Sequence, residues 1–282
     1  MLFAADRLYR KMVNFKFIFA HAVAGILHAV SVLVLVILAD GNYSIPLKIH
    51  YNAWVPSGNE TDCDKTQCRS VATSVPVAEI DLLTACAIFG IWSAMCHSIA
   101  VAVLRCTNGD YISKLRLIRT VDYGVSAPVM ILVVYAISGG SDFTAAILSA
   151  GLMCAVILID YFGRNAQTFV SASALYVIVW IPIFYTFVEA AYSGREIAFN
   201  NTLVKSAEAP DFVIIIIAAI ALAFTSFAIA RLATLKTFAV EEAAFITLSL
   251  VAKTTLHWTL YNGILNRPNM LACEGNEPVE TP

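Results

Sequence analysis

Charge is what this sequence is shortest of. Lys and Arg number 18 and Asp and Glu 20 among 282 residues, or 13%, where a soluble domain carries about 25%. So thin a charged cover cannot solvate a globular surface. With 59% hydrophobic residues the chain is also too apolar for disorder. A net charge of −2 gives no basic field, so nucleic acid is not an expected partner. The signatures of soluble enzymes are missing as well. There is no phosphate-binding glycine loop, no metal-spaced Cys/His cluster and no nucleophile elbow, so neither an enzyme nor a metal protein is expected. Neither an internal repeat nor the ten-residue alternation of a membrane barrel is present.

What the chain does have is long apolar runs. Seven are visible, at 17–39, 80–104, 117–138, 143–162, 171–192, 212–234 and 242–265. Each reaches the roughly 20 residues that a helix needs to cross a bilayer. The expected fold is all-α: one seven-helix transmembrane bundle over 1–282, integral to the lipid bilayer, with an outer loop at 40–79 and a short polar tail at 266–282. Pro128 and Pro182 fall inside runs, where neighbouring groups satisfy the freed carbonyls. Basic residues precede the first run as in a signal peptide. That run is too long and lacks a small-residue cleavage site, so it reads as a retained helix.

Orientation follows from the basic residues. Arg7, Arg10, Lys11, Lys16, Arg105, Lys114, Arg116, Arg119, Arg164, Arg231 and Lys236 gather on one side; Lys48, Lys65, Arg69, Arg195, Lys205 and Arg267 on the other. The richer side is expected to be cytoplasmic, with the N-terminus inside and the C-terminus extracellular. Three sequons, at Asn42, Asn59 and Asn200, all fall on the expected outer side. Asn42 lies too close to the bilayer to be modified, which leaves Asn59 and Asn200 as glycosylation candidates in a plasma membrane reached by secretion. Cys63 and Cys68 share the outer loop, either bonded in an oxidising compartment or free. Cys86, Cys96, Cys106 and Cys154 lie in or beside spans and read as free thiols.

An ionisable group at bilayer depth is a functional candidate. Lys253 stands in the middle of the seventh run, roughly 16 Å from its inner end at helical rise. It is either paired with a buried acid or held in an apolar pocket to form a Schiff base. Asp122, one or two turns into the third run, is the best acid for it. Side chains lean toward the helix N-terminus, which brings Lys253 toward the depth of Asp122. The alternative partner of Asp122 is Arg119, one turn away. His28 and His97 are each either core residues or, together, a polar cavity. His257, one turn beyond Lys253, is expected to face the outer half of the same pocket, and His21 the inner interface. Glu189 is either an interfacial carboxylate or part of an outer proton path. Asp160 reads as solvated, and Asp81, Glu241 and Glu242 as acids favoured at helix N-termini. Tyr123, Phe224, Phe227 and Trp258 either pack or wall an elongated ligand.

These residues carry a resemblance. Seven spans with Lys253 in the last look like a retinal-binding rhodopsin, and the inside N-terminus resembles the heliorhodopsins. Ser249-Leu250-Val251-Ala252-Lys253 is similar to that family's span-seven motif, and Arg119 through Met130 to its span-three segment. The resemblance implies all-trans retinal on Lys253, Asp122 as counterion, and His28 and His97 as the buried pair of the inner cavity. It also implies Tyr123, Ser126, Met130, Phe224, Phe227, Ser249 and Trp258 around the chromophore, and a homodimer. Asp122 departs from the family's usual glutamate, and Thr120 from its tryptophan.

Three functions compete: a light sensor, a light-activated proton channel or transporter using Glu189, and a non-photochemical receptor in which Lys253 binds a small acid. The first is favoured, because no continuous chain of proton carriers is visible. Little or no sustained pumping is expected.

Overall fold

The computed structural model describes residues 2–39, 43–56, 68–106, 111–163, 165–192, 196–199, 202–205, 211–233 and 238–266. Seven long helices are among them: α1 Leu2–Leu38, α2 Leu82–Cys106, α3 Tyr111–Ile137, α4 Phe143–Phe162, α5 Ala166–Tyr192, α6 Asp211–Ala233 and α7 Phe238–Leu260. A π-helical turn, Tyr261–Leu265, prolongs α7. The helices outrun several of the apolar runs. The starts expected at 17, 117, 171 and 242 move to 2, 111, 166 and 238, because polar first turns continue a helix that hydropathy alone cuts short. The second run, expected from 80, starts as a helix at Leu82, since Ile80 and Asp81 belong to a strand.

An all-α fold is not the whole structure. Residues 40–79, expected as a loop, include the antiparallel strands β1 Ser44–Pro56 and β2 Cys68–Asp81, which pair from Ser44↔Asp81 to Pro56↔Cys68. Ile45, Leu47, Ile49 and Tyr51 alternate with Ser44, Pro46, Lys48 and His50, the period-two pattern of a strand. A lone two-stranded ribbon is marginal in water. This one is tied down at its base, where the Lys48 N–H donates to Ser141 O at 2.7 Å and the Leu82 N–H to Tyr43 O at 3.0 Å. Leu47 is buried in the bundle core. A shorter pair, β3 Glu196–Phe199 and β4 Thr202–Lys205, joins α5 to α6. Asn42, Asn59, Cys63 and Asn200, the side chain of Cys68, and the tail from 267 lie outside the described residues.

Consecutive helices α1 to α5 are neighbours, α6 packs on α7, and α7 returns to α1. α3 also touches α5 and α6, which puts it inside the ring. α5 meets α6 through Tyr176, whose hydroxyl donates to Ala221 O at 3.1 Å. Helix starts are capped where the sequence offers acids. Asp81 accepts from the Thr84 N–H at 2.6 Å and Asp142 from the Ala145 N–H at 2.7 Å.

Six of the described helices are long and apolar enough to cross a membrane. α7 misses that mark because Glu241, Glu242, Lys253 and His257 interrupt it, yet all four are buried within the bundle. Phe19, Ile26, Leu33, Ile181, Tyr185, Leu222 and Ile229 instead point outward, as expected of a bundle in lipid.

The interior divides in two along its axis. Toward the hairpin, Leu35, Leu82, Phe89, Ile131, Val134, Tyr135, Ile183, Ile216, Leu256 and Leu260 form a continuous apolar core. Toward the opposite end the buried residues include His21, His97, Asp122, Arg231, Glu241 and Glu242. Lys253 stands near the boundary.

Candidate functional site

α7 carries Lys253 to mid-bundle, where its side chain is 3% exposed. Its Nζ donates to Asp122 Oδ1 at 3.1 Å and Oδ2 at 3.3 Å, and to the Ser93 hydroxyl. Ser93 in turn donates to Asp122 Oδ1 at 2.6 Å. Three helices thus meet at one charged cluster: α2 through Ser93, α3 through Asp122 and α7 through Lys253. A buried cation is tolerable only with such an anion and further hydrogen bonds. The amine also lies 5.3 Å from the centre of the Tyr123 ring.

Beside this cluster a cavity of about 1030 Å³, including space open to solvent, lies between α3, α4, α5, α6 and α7. Lys253 and Ser249 stand in one wall with Tyr123, Ser126 and Met130, and Met153 and Tyr176 lie opposite. Phe224, Phe227 and Phe245 complete an aromatic face. Tyr123 lies 5.5 Å from Phe227 and 6.0 Å from Phe245 between ring centres, and its hydroxyl donates to Phe245 O at 2.8 Å. The amine thus stands in an apolar, aromatic cavity, while its counter-charge Asp122 lines a smaller polar cavity instead.

Six of the seven residues expected around the chromophore line the large cavity; Trp258 does not. It points away and packs edge-on against Tyr261 at 5.8 Å, because position 258 lies well round the α7 barrel from Lys253. Glu189, half-buried near the hairpin end of α5, lines neither this cavity nor the polar one described next.

The smaller cavity, about 290 Å³, lies beyond Asp122 away from the hairpin. His21, Cys96, His97, Arg119, Asp122, Tyr123 and Glu242 line it. His21 and His97 share a hydrogen bond of 2.9 Å between their Nδ1 atoms, and His21 Nε2 approaches Glu242 Oε1 at 3.6 Å. His28 stacks on His97 at 5.5 Å between rings rather than lining the cavity. The nearest hydrogen-bonded histidine pair is therefore His21–His97. A signal for it was present, since His21 and His28 are two turns apart on one face of α1.

Several acids sit differently from their sequence reading. Arg119 does not turn to Asp122. It donates to Glu242 at 2.9 Å and to Glu241 at 2.8 Å, and its guanidinium lies 4.2 Å from the centre of the Phe245 ring. The two glutamates, expected as acids favoured at a helix N-terminus, are the buried half of this clamp between α3 and α7. Asp160, expected to be solvated, keeps 38% of its side chain exposed and also accepts from Arg231 Nε at 2.8 Å. His257 faces α1 and α2 instead of the large cavity. Ser93 is the group that sequence reasoning missed; its signal was its place four residues before His97 on one stripe of α2.

The Arg119 clamp generates a prediction. Arg119→Leu takes the donor from two buried carboxylates at once, and breaking a buried ion pair costs about 3–5 kcal/mol. Thermal unfolding in detergent should show a marked loss of stability relative to the parent. Parent-like unfolding would mean that the clamp carries no net stability.

Among curated proteins no relative matches the chain. The family profile described as Heliorhodopsin matches residues 18–265, from the first spanning helix to the end of the π-helical turn. A match over most of the chain, on a bundle with a buried lysine in its seventh helix, places this protein in the heliorhodopsin family.

Proposed function

We propose that the protein is a light sensor holding all-trans retinal on Lys253, with Asp122 as the counterion. Family membership makes it a retinal-binding, light-sensing membrane protein of the rhodopsin type, not a classical enzyme. The observation that carries the finer reading is Lys253 in the wall of the large cavity, paired with Asp122 at 3.1 Å. Retinal supplies an aldehyde for the amine, visible absorption and light-driven isomerisation. The protein's residues do the rest. Asp122 and Ser93 hold the charged nitrogen, Tyr123, Phe224, Phe227 and Phe245 wall the slot, and the apolar half of the bundle excludes water from the hairpin side. The polar cavity with His97 and His21 offers the proton of Lys253 a place to go on the opposite side.

The chromophore is tested by adding retinal to the full chain. Lys253→Ala should fold and give no visible band. Asp122→Asn should lose or displace the band, because an anion within about 4–6 Å stabilises the charged nitrogen. A parental band in Lys253→Ala would refute the attachment site, and one in Asp122→Asn the counterion.

Orientation belongs to the same proposal. The basic residues and sequons put the polar cavity toward the cytoplasm and the β1–β2 hairpin outside, in the plasma membrane. A C-terminal epitope should be reachable on intact cells and an N-terminal one only after permeabilisation. The reverse pattern would overturn the assignment.

Sensing is favoured over transport by what lies between Lys253 and the hairpin. Leu256 and Leu260 belong to the packed core, and His257 is bound to α1 and α2. Illumination should therefore give no sustained current at zero driving force under voltage clamp. A robust current there would refute the sensor reading. A homodimer remains part of the proposal through the resemblance alone.

A further inference from the structure

His257 follows Lys253 by one helical turn and does not line the cavity. It is buried, and both ring nitrogens are engaged. Nε2 lies 3.1 Å from Cys86 O on α2. A carbonyl only accepts, so Nε2 carries the hydrogen. In the neutral ring Nδ1 is then the acceptor, and Ser31 on α1 donates to it at 3.0 Å. The ring stacks on Phe89 with centres 4.7 Å apart and planes 14° from parallel. Gly90 makes room for this fit. A Cβ there would come within 3.0 Å of His257 Cε1 and 2.2 Å of Val32 Cγ2.

These contacts reach the amine through geometry. Lys253 and His257 are i and i+4 on one helix, about 40° apart around its axis. Fixing the imidazole between α1 and α2 therefore fixes the rotation of α7. The amine stands roughly 8 Å from the axis, so a rotation of about 10° moves it by about 1.4 Å. That is a large part of the 3.1 Å separating Nζ from Asp122. α7 thus grips α2 at two heights, by His257 on Cys86 O and by Lys253 on Ser93.

We propose that His257 is a positioning residue, whose paired hydrogen bonds to Cys86 O and Ser31 set the rotation of α7 and so the placement of the Lys253 nitrogen against Asp122. The inference rests on the retinal reading, because it concerns the nitrogen that the chromophore occupies.

The test uses the full chain with added retinal and compares the parent with His257→Phe, His257→Gln and Ser31→Ala. Phe keeps a ring against Phe89 and loses both hydrogen bonds. Gln keeps an N–H near the place of Nε2. Two readouts are taken: the wavelength of the visible band, and the rate at which hydroxylamine bleaches it in the dark. His257→Phe should move the band and speed bleaching by roughly fivefold to tenfold, the factor that a buried hydrogen bond or two is worth. His257→Gln should return both toward the parent, and Ser31→Ala should shift both in the direction of Phe by less. A folded His257→Phe with parental band and bleaching overturns the proposal. So does an equal displacement in Phe and Gln, which would make the ring a packing element only. Should His257→Phe not fold, Ser31→Ala decides: a shift supports the proposal and a parental band overturns it. A colourless parent overturns the retinal reading and this inference together; a coloured parent with unmoved variants overturns this inference alone.

Discussion

An ammonium group at the centre of an apolar bundle must be paired or lost, and in this protein the pairing organises everything near it. Lys253 is held by Asp122 and Ser93, so α2 and α3 cannot shift relative to α7 without exposing a charge to low dielectric. The large cavity lies against the same amine, which puts Lys253 in the wall of any ligand site there. A chemistry that changed the charge on Nζ would loosen a contact that joins these three helices. This is a direct route from the site to the helix packing.

The surroundings are lopsided. The hairpin half of the interior is packed with Leu, Ile, Val and Phe, while the opposite half stores its polar groups in linked pairs. Arg119 binds Glu241 and Glu242, Arg231 binds Asp160, and His21 binds His97. Each pair crosses between helices, so this half is held by directional contacts and the other by area. A sealed half and a hydrogen-bonded half suit a device in which a charge moves one way and the helices respond. The β1–β2 hairpin sits on the sealed half and is fastened to the α3–α4 turn through Lys48 and Ser141.

The sequence made part of this legible. A lysine amid apolar residues is conspicuous, and the lean of side chains toward the helix N-terminus put Asp122 at its depth. Seven helices stand where seven apolar runs were read, six of them apolar enough to cross a membrane, because hydropathy is a property of single residues. What escaped depends on which faces meet. Glu241 and Glu242 look like ordinary first-turn acids until α3 brings Arg119 across to them. Asp160 is partly solvated, as its place in the sequence suggests, and what the sequence hides is Arg231 reaching it from α6. His257 and Trp258 differ by one position, yet a rotation of about 100° sends one to α1 and α2 and the other to Tyr261. The hairpin was hidden for another reason. Its alternation in 44–52 is plain, but it lies between two spans, where hydropathy shows only a polar connection.

The central claim is that Lys253 is the reactive amine of this cavity. The most direct test is to reconstitute the full chain with retinal, reduce it with borohydride and map the adduct by peptide mass spectrometry. The account predicts the added retinyl mass on the peptide containing Lys253 and on no other lysine. An adduct on a different lysine, or none in a protein that has turned coloured, would contradict it.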